Sequence, residues 1–192
     1  MTLLVLGLIL FLGAHLFTTQ RAARAGLIAK VGAGGYRGIY TGVALAGFVL
    51  IIYGFGAYRS DGMIQVWDPP KATKHIALLL MLPAFILLAV PKVSWLRAKT
   101  KHPMMLAIKL WATAHLLANG DLGGMVLFGA FLAWGVFSRI AVKKREGVEG
   151  KVDLSGVAFG VKDLLAIGIG LGVYIAFVLW LHPLLIGVAV IG

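Results

Sequence analysis

Five histidines are the side chains best able to ligate a metal in this 192-residue chain, which has no cysteine. Three of them, His75, His102 and His182, stand at the ends of apolar runs, where an imidazole can anchor a helix in the polar boundary of a membrane. His15 and His115 lie inside apolar runs. A buried imidazole needs a hydrogen-bond partner or a metal, and an intramembrane ionisable group is a functional candidate by default. His15 and His115 are therefore the first candidates for a ligand site.

Lys109 is the third candidate, because it too lies inside an apolar run. It shares a predicted helix face with His102, seven positions earlier. One interpretation is that its ammonium reaches the lipid headgroups while its stem stays in the apolar layer. The other is that it faces an anionic ligand, since no Asp or Glu lies well inside an apolar run and Asp163 stands only at an edge.

The composition places these residues in a membrane protein. Sixty per cent of the residues are hydrophobic, 13% are charged and the mean hydropathy is +0.96, whereas soluble domains are about one quarter charged. The bilayer must cover the apolar surface that remains, so the lipid bilayer is the first predicted partner. The net charge of +11 does not indicate nucleic acid, because the basic residues fall between apolar runs, as in cytoplasmic loops.

The apolar runs predict an all-α integral membrane protein, a bundle of about six transmembrane helices that forms one domain over residues 1–192. About 20 apolar residues cross a bilayer, and the candidate spans are 2–18, 37–58, 74–91, 103–118, 122–141 and 163–181. The first is expected to be a retained helix, and Asn119-Gly120-Asp121 a tight turn between the fourth and fifth. Residues 19–35 are expected to begin as an interfacial helix and to end in a flexible glycine run.

Two further segments lie outside the predicted spans. Residues 142–161 form the long polar segment and are expected to be a solvated connector. The apolar tail, residues 182–192, is too short to cross a bilayer and is expected to lie along the interface or fold back.

Loop charge predicts the orientation of this bundle. Fourteen of the 18 Lys and Arg residues lie in the first, third and fifth loops and three in the opposite loops. Basic loops stay in the cytoplasm, so both termini are expected on the outer side of the membrane.

Small residues at four-residue spacing predict close helix packing, with dimerisation as an alternative use. The stripes are Gly38, Gly42 and Ala46, then Gly129 and Ala133, then Gly168, Gly172 and Ala176.

Several function classes lack their residues in this sequence. No intramembrane acid is present to carry a proton through a transporter, and no metalloprotease, serine hydrolase, phosphate-loop or calcium-loop motif occurs. In upright helices His15 and His115 would differ in depth by about 13 Å, and tilt would change this by several ångströms. A shared ligand is compatible with this spacing but is not required by it.

Several long segments in one order resemble the NnrU family over most of residues 1–145: the surroundings of His15, GGYRGIYT, VWDPP, KHIALLLMLPAFILL and KHPMMLAIKLWATAHLLANGDL. The resemblance implies a bacterial inner-membrane protein, so the outer side on which loop charge places both termini would be the periplasm. It also implies an association with denitrification, through the expression or activity of nitrite and nitric oxide reductases. Membrane proteins of nitrogen-oxide respiration are then the expected partners.

The same domain is similar to the core of plant 15-cis-zeta-carotene isomerase, a membrane enzyme that uses haem b. This resemblance implies that His15 and His115 ligate a haem iron. The isomerase also uses a cysteine in its redox-linked ligand change, at the position of Ala112 here. The bis-histidine arrangement therefore carries over to this chain, whereas the cysteine switch does not.

Three hypotheses follow from the sequence. The preferred one is a haem b-binding redox or sensing protein with His15 and His115 as ligands and Lys109 neutralising a propionate, helped by Arg97, Lys99 or Lys101. The second is a cofactor-free membrane scaffold or accessory protein for nitrogen-oxide respiration. The third is a haem-dependent isomerase of an apolar polyene.

Overall fold

The computed structural model describes residues 1–150 and 152–191, and these are predominantly helical, as predicted. Lys151 of the predicted connector and Gly192 of the predicted tail lie outside the described residues. The helices are α1 (Thr2–Phe17), α2 (Arg21–Ser60), α3 (Lys71–Ala89), α4 (Trp95–Thr100), α5 (Pro103–Ala118), α6 (Leu122–Glu149), α7 (Val161–Ala176), a π-helical turn (Phe177–Leu181) and α8 (His182–Ile186).

Within the described residues, four helical stretches are long and apolar enough to cross a membrane. They are Arg21–Ser60, Lys71–Ala89, Leu122–Val148 and Val161–Ile186. Helices α1 and α5 are apolar but have 16 residues each. At 1.5 Å per residue they reach about 24 Å, less than the roughly 30 Å hydrocarbon layer. The membrane-protein class is supported, and a count of six spans remains a prediction.

The chain forms two compact units. The first contains Met1–Pro69 and Asn119–Lys143, and the second contains Pro70–Ala118 and the described residues from Lys144 onward. Helices α1 and α2 pack in the first unit, and α3, α5 and α7 pack in the second. The prediction of a single domain over 1–192 is not tested by this division.

Helices α1 and α2 touch backbone to backbone at three glycines, Gly7, Gly47 and Gly54. A Cβ atom added at Gly7 would lie 2.6 Å from the backbone nitrogen of Ile51, and one at Gly47 would lie 2.5 Å from that of Phe11. A Cβ atom added at Gly54 would lie equally close to the backbone of α1 near Leu4. Gly47 and Gly54 are seven residues apart and therefore share one face of α2.

The small-residue stripes predicted from the sequence do not make the close contacts inside this chain. A Cβ atom added at any of their five glycines would meet no described atom within 4 Å, helix backbone aside; they are Gly38, Gly42, Gly129, Gly168 and Gly172. In the second unit the contact glycine is Gly170, which lies against Ile86 of α3. The prediction was wrong because four-residue spacing marks a face of a helix without marking which face meets a neighbour.

Helix α2 bends sharply at Gly32, which has a φ of +75° and a ψ of 165°. The guanidinium carbon of Arg24 lies 5.4 Å from the ring centroid of Tyr36. In a straight helix, residues 12 positions apart would be about 18 Å apart, so residues 21–31 fold back from the bend. The predicted interfacial segment is thus helical from Arg21, and its glycine run contains the bend.

Two predicted boundaries are wrong, because helices continue into polar or terminal segments. Helix α6 extends to Glu149, eight residues into the predicted connector, since its Lys, Arg and Glu residues are good helix formers. The α7 helix continues through the π-helical turn and α8 to Ile186, past the predicted end at 181. It stops at Gly187, which adopts the left-handed conformation (φ 75°) that favours glycine.

Residues 119–121 form a short connection, as expected, since α5 ends at Ala118 and α6 begins at Leu122, but Asp121 pairs with Gln65 in an isolated β-bridge instead of forming a turn. The Gly120 carbonyl accepts hydrogen bonds from the backbone nitrogens of Val66 (2.8 Å) and Trp67 (3.2 Å). The Asp121 carboxylate accepts one from the Gly124 nitrogen at 2.7 Å and so caps the start of α6.

Candidate functional site

The imidazole of His15 is held in one orientation by its own helix. Its Nδ1 atom lies 2.7 Å from the carbonyl oxygen of Phe11, and the two rings lie in contact with centroids 4.4 Å apart and planes tilted by 38°. A carbonyl oxygen only accepts hydrogen bonds, so Nδ1 carries the proton and Nε2 carries the lone pair. This is the tautomer in which a histidine binds a metal through Nε2.

Aromatic rings from α2 and α6 surround His15 in the first unit. The ring centroids of Tyr40 and Trp134 lie 5.6 and 5.7 Å from that of His15, and Tyr36 stacks on Tyr40 at 6.4 Å. We call Phe11, Tyr36, Tyr40 and Trp134 the aromatic cage.

Two polar atoms of this cage lack partners. Among the described residues, the Tyr36 hydroxyl and the Trp134 Nε1 atom are buried without a hydrogen-bond partner. Nearly all buried donors are paired in proteins, so these two atoms mark a place where a ligand would supply acceptors.

His115, in the second unit, repeats the arrangement of His15. Its Nδ1 atom lies 2.9 Å from the Trp111 carbonyl oxygen, and the two ring centroids are 5.4 Å apart. In both cases the aromatic residue four positions earlier supplies the carbonyl and a neighbouring ring tilted against the imidazole. The pairing of Phe11 with His15 was missed from the sequence. The shared spacing of aromatic residue and histidine was the signal that could have found it.

Lys109 lies on α5, half-buried, and no described carboxylate lies within ion-pair distance of it. The nearest candidate in the sequence, Asp163, is 1% exposed and bonded elsewhere. Its carboxylate accepts hydrogen bonds from the backbone nitrogens of Leu96 (2.9 Å), Gly160 (3.1 Å) and Trp95 (3.3 Å). Asp163 therefore joins the start of α4 to the start of α7, a role that the sequence did not reveal.

The remaining histidines have local roles that agree with polar anchoring. The Nε2 atom of His102 lies 2.9 Å from a carboxylate oxygen of Glu146. His182 places its Nδ1 atom 2.8 Å from the Val188 carbonyl oxygen, and His75 is exposed in the first turn of α3.

The described residues contain no group of three or more His, Cys, Asp or Glu side chains that could hold a metal ion. A free divalent ion usually needs three or four protein ligands, whereas a haem iron needs only one or two. The donor chemistry of His15 and His115, with Nε2 carrying the lone pair in an apolar setting, fits a haem iron. The unpartnered Trp134 Nε1 beside His15 is consistent with a ligand at that histidine.

Residues 3–190 match the family model described as NnrU protein. This chain belongs to the NnrU family. No curated protein and no solved structure matches it. In this NnrU family member Ala112 is completely buried.

Proposed function

We propose that this NnrU family protein binds haem b, with His15 and His115 as iron ligands, and acts as a redox or sensing factor in denitrification. The observation that carries the proposal is the matched geometry of the two histidines. Each donates its Nδ1 proton to the carbonyl four residues earlier, at 2.7 and 2.9 Å. A ligating histidine is commonly oriented in this way by a second hydrogen bond.

The haem would supply one-electron chemistry, and the chain's residues would tune it. Two neutral imidazoles in apolar surroundings favour a low-spin iron with a stable coordination number. Lys109 would neutralise a propionate, since no described carboxylate pairs with it. Arg97 and Lys99 on α4, and Lys101 just after it, would be further counter-charges.

The link to denitrification comes from the family. Through such a haem the protein would report the redox state to the expression or activity of nitrite and nitric oxide reductases. Partner proteins of nitrogen-oxide respiration would read this state within the bacterial inner membrane. The isomerase alternative is not favoured, because Ala112 has no sulfur for the ligand change.

The test is an absorption spectrum of the full-length protein in detergent, oxidised and then reduced, after expression with haem supplementation. We expect a sharp Soret band and reduced α and β bands in the wild type. His15→Ala and His115→Ala should each lose the low-spin spectrum. His75→Ala removes an exposed histidine outside the proposed ligand pair and is the matched control.

Different spectra would separate the alternatives. A change in only one of the two ligand variants would show that the iron uses that histidine and another group. A folded, colourless wild-type protein would overturn the haem proposal and favour the cofactor-free accessory protein.

A further inference from the structure

An apolar groove of about 340 Å³ runs between α1 and the beginning of α2, wholly within the first unit. Its walls include Ile9, Gly13, Phe17, Tyr36, Ile39 and Tyr40. Ile9 and Ile39 are 63% and 48% exposed, so the groove opens on a surface that lipid would cover. This volume lies within the range of small-molecule sites, about 300–1,000 Å³, and apolar walls suit a hydrocarbon chain.

One lining residue, Tyr36, is polar and lies against a charged neighbour, Arg24. Tyr36 is 8% exposed, and its buried hydroxyl has no hydrogen-bond partner among the described residues. The guanidinium of Arg24 lies over the Tyr36 ring, 5.4 Å from its centroid. The bend at Gly32 creates this pairing, because it brings residues 21–31 back toward the remainder of α2.

The basic residues around the groove indicate that the ligand is anionic. Residues 21–37 contain four basic residues and no acidic one: Arg21, Arg24, Lys30 and Arg37. Arginine binds phosphate oxygens with its planar set of donors, and a tyrosine hydroxyl can donate to an ester or phosphate oxygen. Basic segments at the membrane edge attract anionic lipids.

We propose that this groove binds one anionic phospholipid, with an acyl chain along α1 and α2 and its head group at Arg24 and Tyr36. The chain occupies the apolar walls, the Arg24 guanidinium pairs with the phosphate, and the Tyr36 hydroxyl donates its proton to a lipid oxygen. The site does not depend on haem. The groove shares Tyr36 and Tyr40 with the aromatic cage of His15.

The experiment is native mass spectrometry of the full-length protein after delipidation and addition of phosphatidylglycerol or phosphatidylcholine. We expect one retained phosphatidylglycerol. Arg24→Gln should weaken its binding roughly fivefold, and Tyr36→Phe should weaken it while keeping the ring under Arg24. Lys30→Gln removes the same charge from the same segment and should change binding less than twofold. Equal losses in Arg24→Gln and Lys30→Gln would overturn the site and leave general attraction to a basic segment.

A second pair of variants tests the acyl chain. An added Cβ at Gly13, in the groove wall, or at Gly42, outside it, meets no described atom within 4 Å. Gly13→Leu should therefore fill the groove and abolish retention of the lipid, while Gly42→Leu should leave it unchanged. Equal binding by both variants would overturn the proposal.

Cross-linking with a photoreactive phosphatidylglycerol tests the same site in the wild-type protein, without any substitution. Its acyl chain should cross-link the wild-type protein at residues 9–17 and 39–43. Labelling spread evenly over lipid-facing positions elsewhere, such as Leu79 and Leu164, would contradict the site.

Discussion

The indole ring of Trp134 stands nearly perpendicular to the imidazole of His15, at 88°, with ring centroids 5.7 Å apart. Such an arrangement stabilises an aromatic pair by about 0.5–1.5 kcal/mol beyond the area it buries. The contact joins α6 to α1 within the first unit. Yet the indole Nε1 atom has no hydrogen-bond partner among the described residues. The pair thus combines a packed ring with a donor that the chain itself does not use.

Trp134→Phe should separate these two roles. The phenyl ring keeps the contact with His15, and removing an unsatisfied buried donor removes a penalty of about 1–3 kcal/mol, which offsets the lost area. We expect the free energy of unfolding of the haem-free protein to change by less than about 1 kcal/mol, while haem retention falls. Thermal unfolding in detergent and the Soret absorbance are the two measurements.

Trp180→Phe is the control for that prediction, because Trp180 is 63% exposed and lies outside the aromatic cage. It should change neither measurement. A loss of more than about 3 kcal/mol in haem-free Trp134→Phe would instead identify the indole as a purely structural part of the core.

Gly47→Ala should destabilise the first unit, whereas Gly42→Ala on the same helix should not. A Cβ at Gly47 would lie 2.5 Å from the Phe11 backbone nitrogen, and one at Gly42 meets no described atom within 4 Å. Forcing extra volume into close packing costs about 1–3 kcal/mol, while alanine is a better helix former than glycine by about 1 kcal/mol. Unfolding of the two variants by titration with SDS in mixed micelles would measure the difference. Equal stabilities would mean that α1 and α2 do not touch at Gly47.

Asp163→Asn should loosen the junction between α4 and α7. The carboxylate accepts three backbone hydrogen bonds within 3.3 Å, and hydrogen bonds to a charged group contribute about 1.5–3 kcal/mol. An amide keeps one oxygen but turns its NH₂ group toward the same donors. We expect a loss of about 2 kcal/mol in the free energy of unfolding, with faster amide exchange at Trp95 and Leu96.

Asp153→Asn provides the matched control for Asp163→Asn. Asp153 is exposed, and the hydrogen bond from the Ser155 backbone amide lowers its pKa below the ordinary value. Its replacement should leave both measurements nearly unchanged. Equal effects of the two substitutions would contradict the assignment of Asp163 as a buried junction.

The helical class was predictable because a chain that is 60% hydrophobic must satisfy its backbone groups internally, and helices do so with local bonds. The short connection around Gly120 was also predictable, because Asn and Gly locally interrupt helices. The contact glycines were not, since whether Gly47 or Gly42 meets α1 depends on where a second helix lies. The role of Asp163 could not be predicted either, because two of the backbone nitrogens that donate hydrogen bonds to its carboxylate are 67 and 68 residues away in the sequence.

In the candidate site, too, local features could be predicted from the sequence, whereas contacts between separate helices could not. His15 and His115 stand out in the sequence because an imidazole inside an apolar run is costly. Their Nδ1 hydrogen bonds follow from helix geometry, which places the carbonyl of residue i−4 beside residue i. Tyr36, Tyr40 and Trp134 could not be assigned to His15 from the sequence, because packing of separate helices brings them together. The pairing of Arg24 with Tyr36 likewise depends on the bend at Gly32.

The absence of cysteine makes the proposed orientation directly testable by single-cysteine labelling. We expect Lys99→Cys on α4 and Lys144→Cys near the end of α6, both in basic segments, to face the cytoplasm, and Met63→Cys to face the periplasm. Met63 is 51% exposed, in the segment between α2 and α3. A membrane-impermeant maleimide applied to intact spheroplasts should label Met63→Cys, and should label the other two only after the membrane is permeabilised. The cysteine-free wild type gives the background. Labelling of all three positions in intact spheroplasts would contradict an orientation set by loop charge, and would imply a different number of spans from the six predicted.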